Sequence, residues 1–138
     1  MNIDQTLVLS DAQAETTQTD HASTNVVDTL LAGDMLAKPL YLDVTVDTAF
    51  TSAGAATLQA ILQTSDAEAF GSGNVTLMDS GTIALATLVK GYKLIQGRIP
   101  AGCLRYLRVV YTIGTTTMTA GKVNAVITDG VDRTFAVQ

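Results

Sequence analysis

The sequence predicts an all-β fold, an antiparallel jelly roll or β-sandwich of about eight strands. Three observations carry this. Short segments alternate apolar and polar residues with a period of two, turn-forming Gly, Pro, Asp and Ser separate them, and no long stretch keeps a helical period. Composition agrees: 47% of residues are hydrophobic but only 5% aromatic, with no Trp, so Ala and Val dominate the apolar content and Thr is abundant beside them. Val and Thr are stiff at the first side-chain torsion and fit a pleated surface. The 138 residues, 14.4 kDa, are expected to form one domain spanning 1–138. A chain of this size buries roughly two-thirds of its unfolded surface without help from metal or disulfides.

Leu7-Val8-Leu9 opens as a brief strand, ended by Ser10-Asp11. Residues 12–23 are rich in Thr, Gln, Ala and Asp and follow no period, so 10–24 is expected to be a loop or docking arm that takes its shape from a neighbour. Asn25-Val26-Val27-Asp28 is a second short strand. After a loop containing Gly33 and Asp34, Pro39 stands at the entrance of a clearer one. There Leu40, Leu42, Val44 and Val46 alternate with Tyr41, Asp43, Thr45 and Asp47.

Leu58, Ala60 and Leu62 alternate with Gln59, Ile61 and Gln63; Ala, Leu and Gln also suit a helix, but the period of two and flanking Thr57 and Thr64 favour a strand. Residues 65–73 form a surface loop closing on Gly71-Ser72-Gly73, and Val75-Thr76-Leu77-Met78 is a short strand stopped by Asp79-Ser80-Gly81. Residues 82–90 fit either a strand or one helical turn. The segment 92–99 is a strand running into a tight Pro100-Ala101-Gly102 turn.

The longest alternation follows that turn. Leu107, Val109, Tyr111 and Ile113 form a core seam, with Tyr106, Arg108, Val110 and Thr112 on the opposite side. Residues 114–121 are expected to be a Thr-rich hairpin loop, 122–128 a last strand, and Asp129-Gly130 a turn before a short tail.

Net charge is −5 and only 15% of residues are charged, so the chain lacks the basic patch that nucleic-acid binding draws on. No nucleic-acid partner is expected. No run is long and apolar enough to span a bilayer, so no membrane partner is expected, and the single Cys103 suits assembly in a reducing cytoplasm.

Searching for chemistry yields no catalytic residue, cofactor site or metal site. His21, beside Asp20, is the one histidine and is expected in a solvated loop where nothing orients it. Cys103 reads as a partly buried structural thiol beside Arg105. Asp43 with Asp47, and Asp129 with Asp132, lack the dense acidic spacing of a calcium loop, which needs about six to eight oxygen ligands, and read as solvated carboxylates. Gly71-Ser72-Gly73 lacks the rest of a dinucleotide fingerprint, and Asn74-Val75-Thr76 matches a glycosylation acceptor only by three residues. The chain is therefore not expected to be an enzyme.

One surface differs. Tyr106 and Arg108 are residue types enriched at protein interfaces, and Arg98 and Arg105 flank the Pro100 turn in a chain with just eight basic residues. Together with Gln13, Thr17 and Asp20 of the arm they are the candidate protein-interaction residues; ordinary surface ion pairs with the many Asp side chains are the alternative.

Arg105-Tyr106-Leu107-Arg108-Val109-x-Tyr111, preceded by Pro100-x-Gly102, resembles the small jelly-roll capsid cement, or head decoration, proteins of short-tailed double-stranded DNA bacteriophages. The likeness extends in order through 7–14, 22–28, 54–58, 62–65, Ala69-Phe70-Gly71-Ser72 and Leu88-Val89-Lys90-Gly91-Tyr92. Residues 30–38 and those after Thr128 depart from it, and with them the identity of the particular shell contacts. The resemblance implies a non-enzymatic homodimer made in the host cytoplasm, which binds the outer capsid surface of the virion and bridges major capsid protein subunits of the expanded head. The rival reading is a carbohydrate-binding jelly roll or host-adhesion decoration, which the absence of Trp and the presence of just four Tyr disfavour. A cupin-like enzyme would need more His than one.

Overall fold

The computed structural model describes residues 8–16, 20–28, 40–71, 73–100 and 102–128. Among them the chain forms β1 (Val8–Ala14), β2 (Asp20–Ala22), β3 (Val27–Asp28), β4 (Tyr41–Thr51), β5 (Thr57–Ser65), β6 (Val75–Asp79), β7 (Ile83–Ala84), a 3-10 turn (Leu85–Thr87), β8 (Lys93–Arg98), β9 (Tyr106–Gly114) and β10 (Ala120–Thr128). One sheet has the order β1-β10-β4-β8 and the other β2-β9-β5-β6, with β3 also on β9 and β7 also on β5. All pairings are antiparallel. Because β2 and β3 share one edge and β6 and β7 the other, the ten strands occupy eight positions, four to a sheet. That is the jelly-roll form of a β-sandwich.

The core follows directly from the alternation. Leu107, Val109, Tyr111 and Ile113 face inward opposite Thr64, Leu62, Ala60 and Leu58 of β5, and all eight are buried. The bulky Tyr111 ring lies across from the small Ala60, a size match that lets both strands keep their spacing. The second sheet contributes Leu42, Val44 and Val46 from β4 and Val123, Ala125 and Ile127 from β10. Gly121 is fitted to Phe50: a Cβ on Gly121 would collide with the Phe50 ring.

Several expectations change. The aperiodic 12–23 segment is not simply loop: β1 runs to Ala14, and Asp20–Ala22 pairs with Thr112, Tyr111 and Val110 of β9. Its period is hidden because β1 shifts register twice against β10, with Ala12 at φ 46 where the Asn124 Oδ1 accepts its N–H at 2.6 Å. The expected hairpin at 114–121 is instead a crossing between the two sheets, since β9 lies in one and β10 in the other; β8 and β9 likewise lie in different sheets, and Ala101 of the expected tight turn between them is outside the described residues. Residues 82–90 divide between strand β7 and the 3-10 turn, after which Leu88 is buried.

Asp43 is not a solvated carboxylate. It is 5% exposed, because the Lys93 Nζ from β8 reaches both its oxygens at 3.1 and 2.8 Å and the Thr45 hydroxyl donates to it at 2.6 Å. Asp47 accepts from Asn124 Nδ2 at 3.0 Å. Thr17, the 30–38 loop, Asp129, Asp132 and the tail lie outside the described residues.

Candidate docking face

Strands β9 and β5 present their second set of side chains outward on the sheet that contains β2. Register places Gln63 beside Arg108, Ile61 beside Val110 and Gln59 beside Thr112, with Ala22 and Asp20 of β2 continuing the last two rows. Between two polar rows runs a short apolar row, Ile61-Val110-Ala22, in which Val110 is buried, Ile61 half-buried and Ala22 exposed. Asp20 accepts from the Thr112 hydroxyl at 2.7 Å, and Asp79 of β6 accepts from Gln59 Nε2 and the Gly81 N–H, both at 2.7 Å. Those donors hold the Asp79 carboxyl below its usual range.

Arg108 is held by neutral groups. Its Nε–H and Nη2–H donate to Gln63 Oε1 at 3.1 and 3.0 Å, and its guanidinium carbon lies 4.2 Å from the centre of the Phe70 ring. Phe70 comes from the loop after β5 and adopts φ 52, a left-handed conformation costing roughly 1–3 kcal/mol for a bulky residue. It is fixed there by its own N–H bonded to Ala67 O at 3.0 Å and by Asn74 Nδ2 donating to its carbonyl at 2.9 Å. Burial lowers the Arg108 pKa from the usual guanidinium value.

Arg105 differs. Its Nε and Nη2 donate to the two oxygens of Asp28 at 2.8 and 3.0 Å, and it sits 5.0 Å over the Tyr106 ring. Hydrogen bonding to Asp28 pushes its pKa further up. For Arg105 the ordinary ion-pair reading is the observed one. Arg98 ends β8 and so belongs to the other sheet, opposite Tyr41 of β4. Proximity in sequence does not group it with Arg105 and Arg108, because β8 and β9 lie in different sheets.

The arm residues form a separate network. Tyr111, 0% exposed, donates its hydroxyl proton to Ser10 Oγ at 2.9 Å, and Ser10 donates to Gln13 Oε1 at 2.7 Å. Gln13 Nε2 in turn donates to Glu15 Oε1 at 2.6 Å and to Ala22 O at 3.0 Å, while the Thr24 N–H and hydroxyl donate to its Oε1. Glu15 is 0% exposed, and its Oε2 lies 2.9 Å from His21 Nδ1. His21 is therefore not an unoriented loop histidine. Burial raises the Glu15 pKa despite the opposing effects of His21 and Gln13. Gln13 is a structural hub between β1 and β2, with both ends of its amide engaged inside the chain. Cys103 is buried, its Sγ 3.8 Å from Pro100 O.

Of the sequence-predicted residues, Tyr106, Arg108 and Asp20 thus share one sheet, Arg105 directly precedes β9, Gln13 braces the sheet's edge and Arg98 lies elsewhere. Gln63 and Phe70, which position Arg108, carry no interface signal of their own in the sequence, although antiparallel pairing of β5 with β9 in core register finds the first. A comparison with curated proteins returns no match. The family model Bbp16 matches residues 9–127, most of both sheets, and the chain belongs to this phage-related family.

Proposed function

We propose that the protein is a structural component of the phage virion that binds the outer surface of the capsid and bridges neighbouring major capsid protein subunits, stabilising the expanded head. The observation that carries this reading is the outward face of β9 and β5, where Arg108 is fixed by Gln63 and Phe70 beside an apolar row, on a chain of a phage-related family. Interfaces favour ordered Arg and Tyr side chains around a small apolar centre. A flat sheet face of this kind suits a broad protein surface better than a small ligand. The role is non-enzymatic, requires no cofactor, and is exercised as a homodimer, so that one unit reaches two shell subunits.

The test is co-sedimentation of purified protein with undecorated, expanded heads of the phage that encodes it. Wild type is expected to bind saturably. Tyr106→Ala combined with Arg108→Glu is expected to weaken binding while the circular dichroism of the fold stays unchanged. Unchanged affinity in the folded double variant would remove this face from the contact.

A further inference from the structure

Arg108 is a cation whose charge is not met by a carboxylate among the described residues. A guanidinium has five N–H donors in a fixed fork. Two go to Gln63 Oε1, and among the described residues the other three, on the Nη1–Nη2 end, have no partner and no carboxylate within ion-pair distance. Arg105, three residues earlier, shows what this chain does when it neutralises an arginine: both Asp28 oxygens close on it. The contrast is notable in a protein with 13 acidic and 8 basic residues.

The surroundings make the open edge a prepared one. Gln63 is a neutral acceptor, so it orients the guanidinium without cancelling its charge. Phe70 covers one plane from below and is itself 5% exposed, locked in its left-handed conformation. Side-chain freedom, normally lost on binding, is already lost here. The nearest outward neighbours, Gln63 and Val110, are uncharged. Asp20 and Asp79 lie farther along the face and are engaged by Thr112 and Gln59. Partial burial leaves the cation poorly hydrated, which strengthens the attraction of an incoming anion. The open Nη1–Nη2 edge matches the two oxygens of a carboxylate in parallel hydrogen bonds. A single fixed guanidinium on an acidic protein does not match a nucleic-acid backbone, which draws on several cations.

We propose that the Nη1–Nη2 edge of Arg108 receives the carboxylate of one Asp or Glu side chain on the shell subunit to which the protein docks. This rests on the capsid-binding reading above and names the chemistry of its central contact. Lysine cannot replace arginine there, because an ammonium has no fork and cannot keep the Gln63 and Phe70 contacts together.

The experiment measures binding of wild type, Arg108→Lys, Arg108→Gln and Arg108→Glu to undecorated expanded heads at several salt concentrations, with sedimentation equilibrium of each free protein alongside. Arg108→Gln and Arg108→Lys are each expected to weaken head binding about ten- to a hundredfold at unchanged oligomeric state, and Arg108→Glu more. An Asp- or Glu-to-Arg replacement in the shell subunit is expected to restore binding of Arg108→Glu. If wild type binds and Arg108→Lys and Arg108→Gln bind equally well, the carboxylate contact is refuted while the capsid-binding reading stands. Loss of self-association in these variants with a matching fall in head binding would place the carboxylate on a second copy of this chain and overturn the proposal. Failure of wild type to bind heads overturns the capsid reading itself, and the proposal with it.

Discussion

The hydroxyl pair Tyr111–Ser10 offers a quantitative test of how the two sheets are joined. Both residues are fully buried, and the Tyr111 hydroxyl proton is donated to Ser10 Oγ at 2.9 Å. In Ser10→Ala the phenol stays in the core with its partner removed, which costs roughly 1–3 kcal/mol for the stranded group. Loss of the Ser10 donor to Gln13 adds little, since the Thr24 N–H and hydroxyl still reach Gln13 Oε1 at 2.8 and 2.9 Å. Tyr111→Phe removes one bond and strands nothing, because Ser10 still donates to Gln13, so about 1 kcal/mol is expected. The double variant has no orphaned group and is expected to cost about 1–1.5 kcal/mol, less than Ser10→Ala alone, giving a coupling near 2 kcal/mol. With a urea slope of roughly 2 kcal/mol per molar, the midpoint falls by about 1 M for Ser10→Ala and by about half that for the double variant. Urea titrations followed by circular dichroism decide it. Effects that simply add, to within about 0.5 kcal/mol, would show that the Tyr111 hydroxyl does not depend on Ser10.

Three further perturbations test other joints. Glu15→Gln keeps the hydrogen bonds to Gln13 and His21 but removes a buried carboxylate whose pKa burial raises above 4.5. A raised carboxyl pKa supplies stability that is complete below the ordinary value and lost as pH climbs through the folded one, so the variant's advantage over wild type should grow from pH 4.5 to pH 7.5; an advantage independent of pH would contradict this. Gly121→Ala drives a methyl group into the buried Phe50 ring at φ 146, and is expected to cost about 2–4 kcal/mol, read as a fall in Tm. Thr115→Gly relieves a γ-turn in which Thr115 has φ 71 and the Thr116 N–H bonds to Gly114 O at 2.8 Å; Tm should rise by a degree or two, and a fall would show the turn is unstrained.

The strands most legible in the sequence are β4, β5, β9 and β10, because each has one face against the core and a period of two then transcribes burial directly. The second half of β1 and all of β2 are illegible for a physical reason. Ser10, Glu15 and Ser23 are buried polar residues whose partners include Tyr111 of β9, His21 of β2 and the Val109 N–H of β9, so they break the apolar period, and two register shifts break it again. Sheet membership is not encoded locally either. The Thr-rich loop at 114–121 looks like a hairpin, but a jelly roll passes the chain from one sheet to the other there and again between β8 and β9, which is why Arg98 and Arg105 part company.

The same logic explains what was visible of the docking face. Residue type alone selects Tyr106, Arg105 and Arg108, yet it cannot tell a neutralised arginine from an open one. That distinction depends on which carboxylates the fold brings near: Asp28 reaches Arg105 because β3 pairs with the start of β9, whereas β5 offers Arg108 only Gln63 across the strand. The loop after β5 then supplies an aromatic ring, in a left-handed conformation, against the plane of the guanidinium. Among the described residues, Arg108 is met by an amide and a ring rather than by a carboxylate. The face is thus set by strand register and by one strained loop residue.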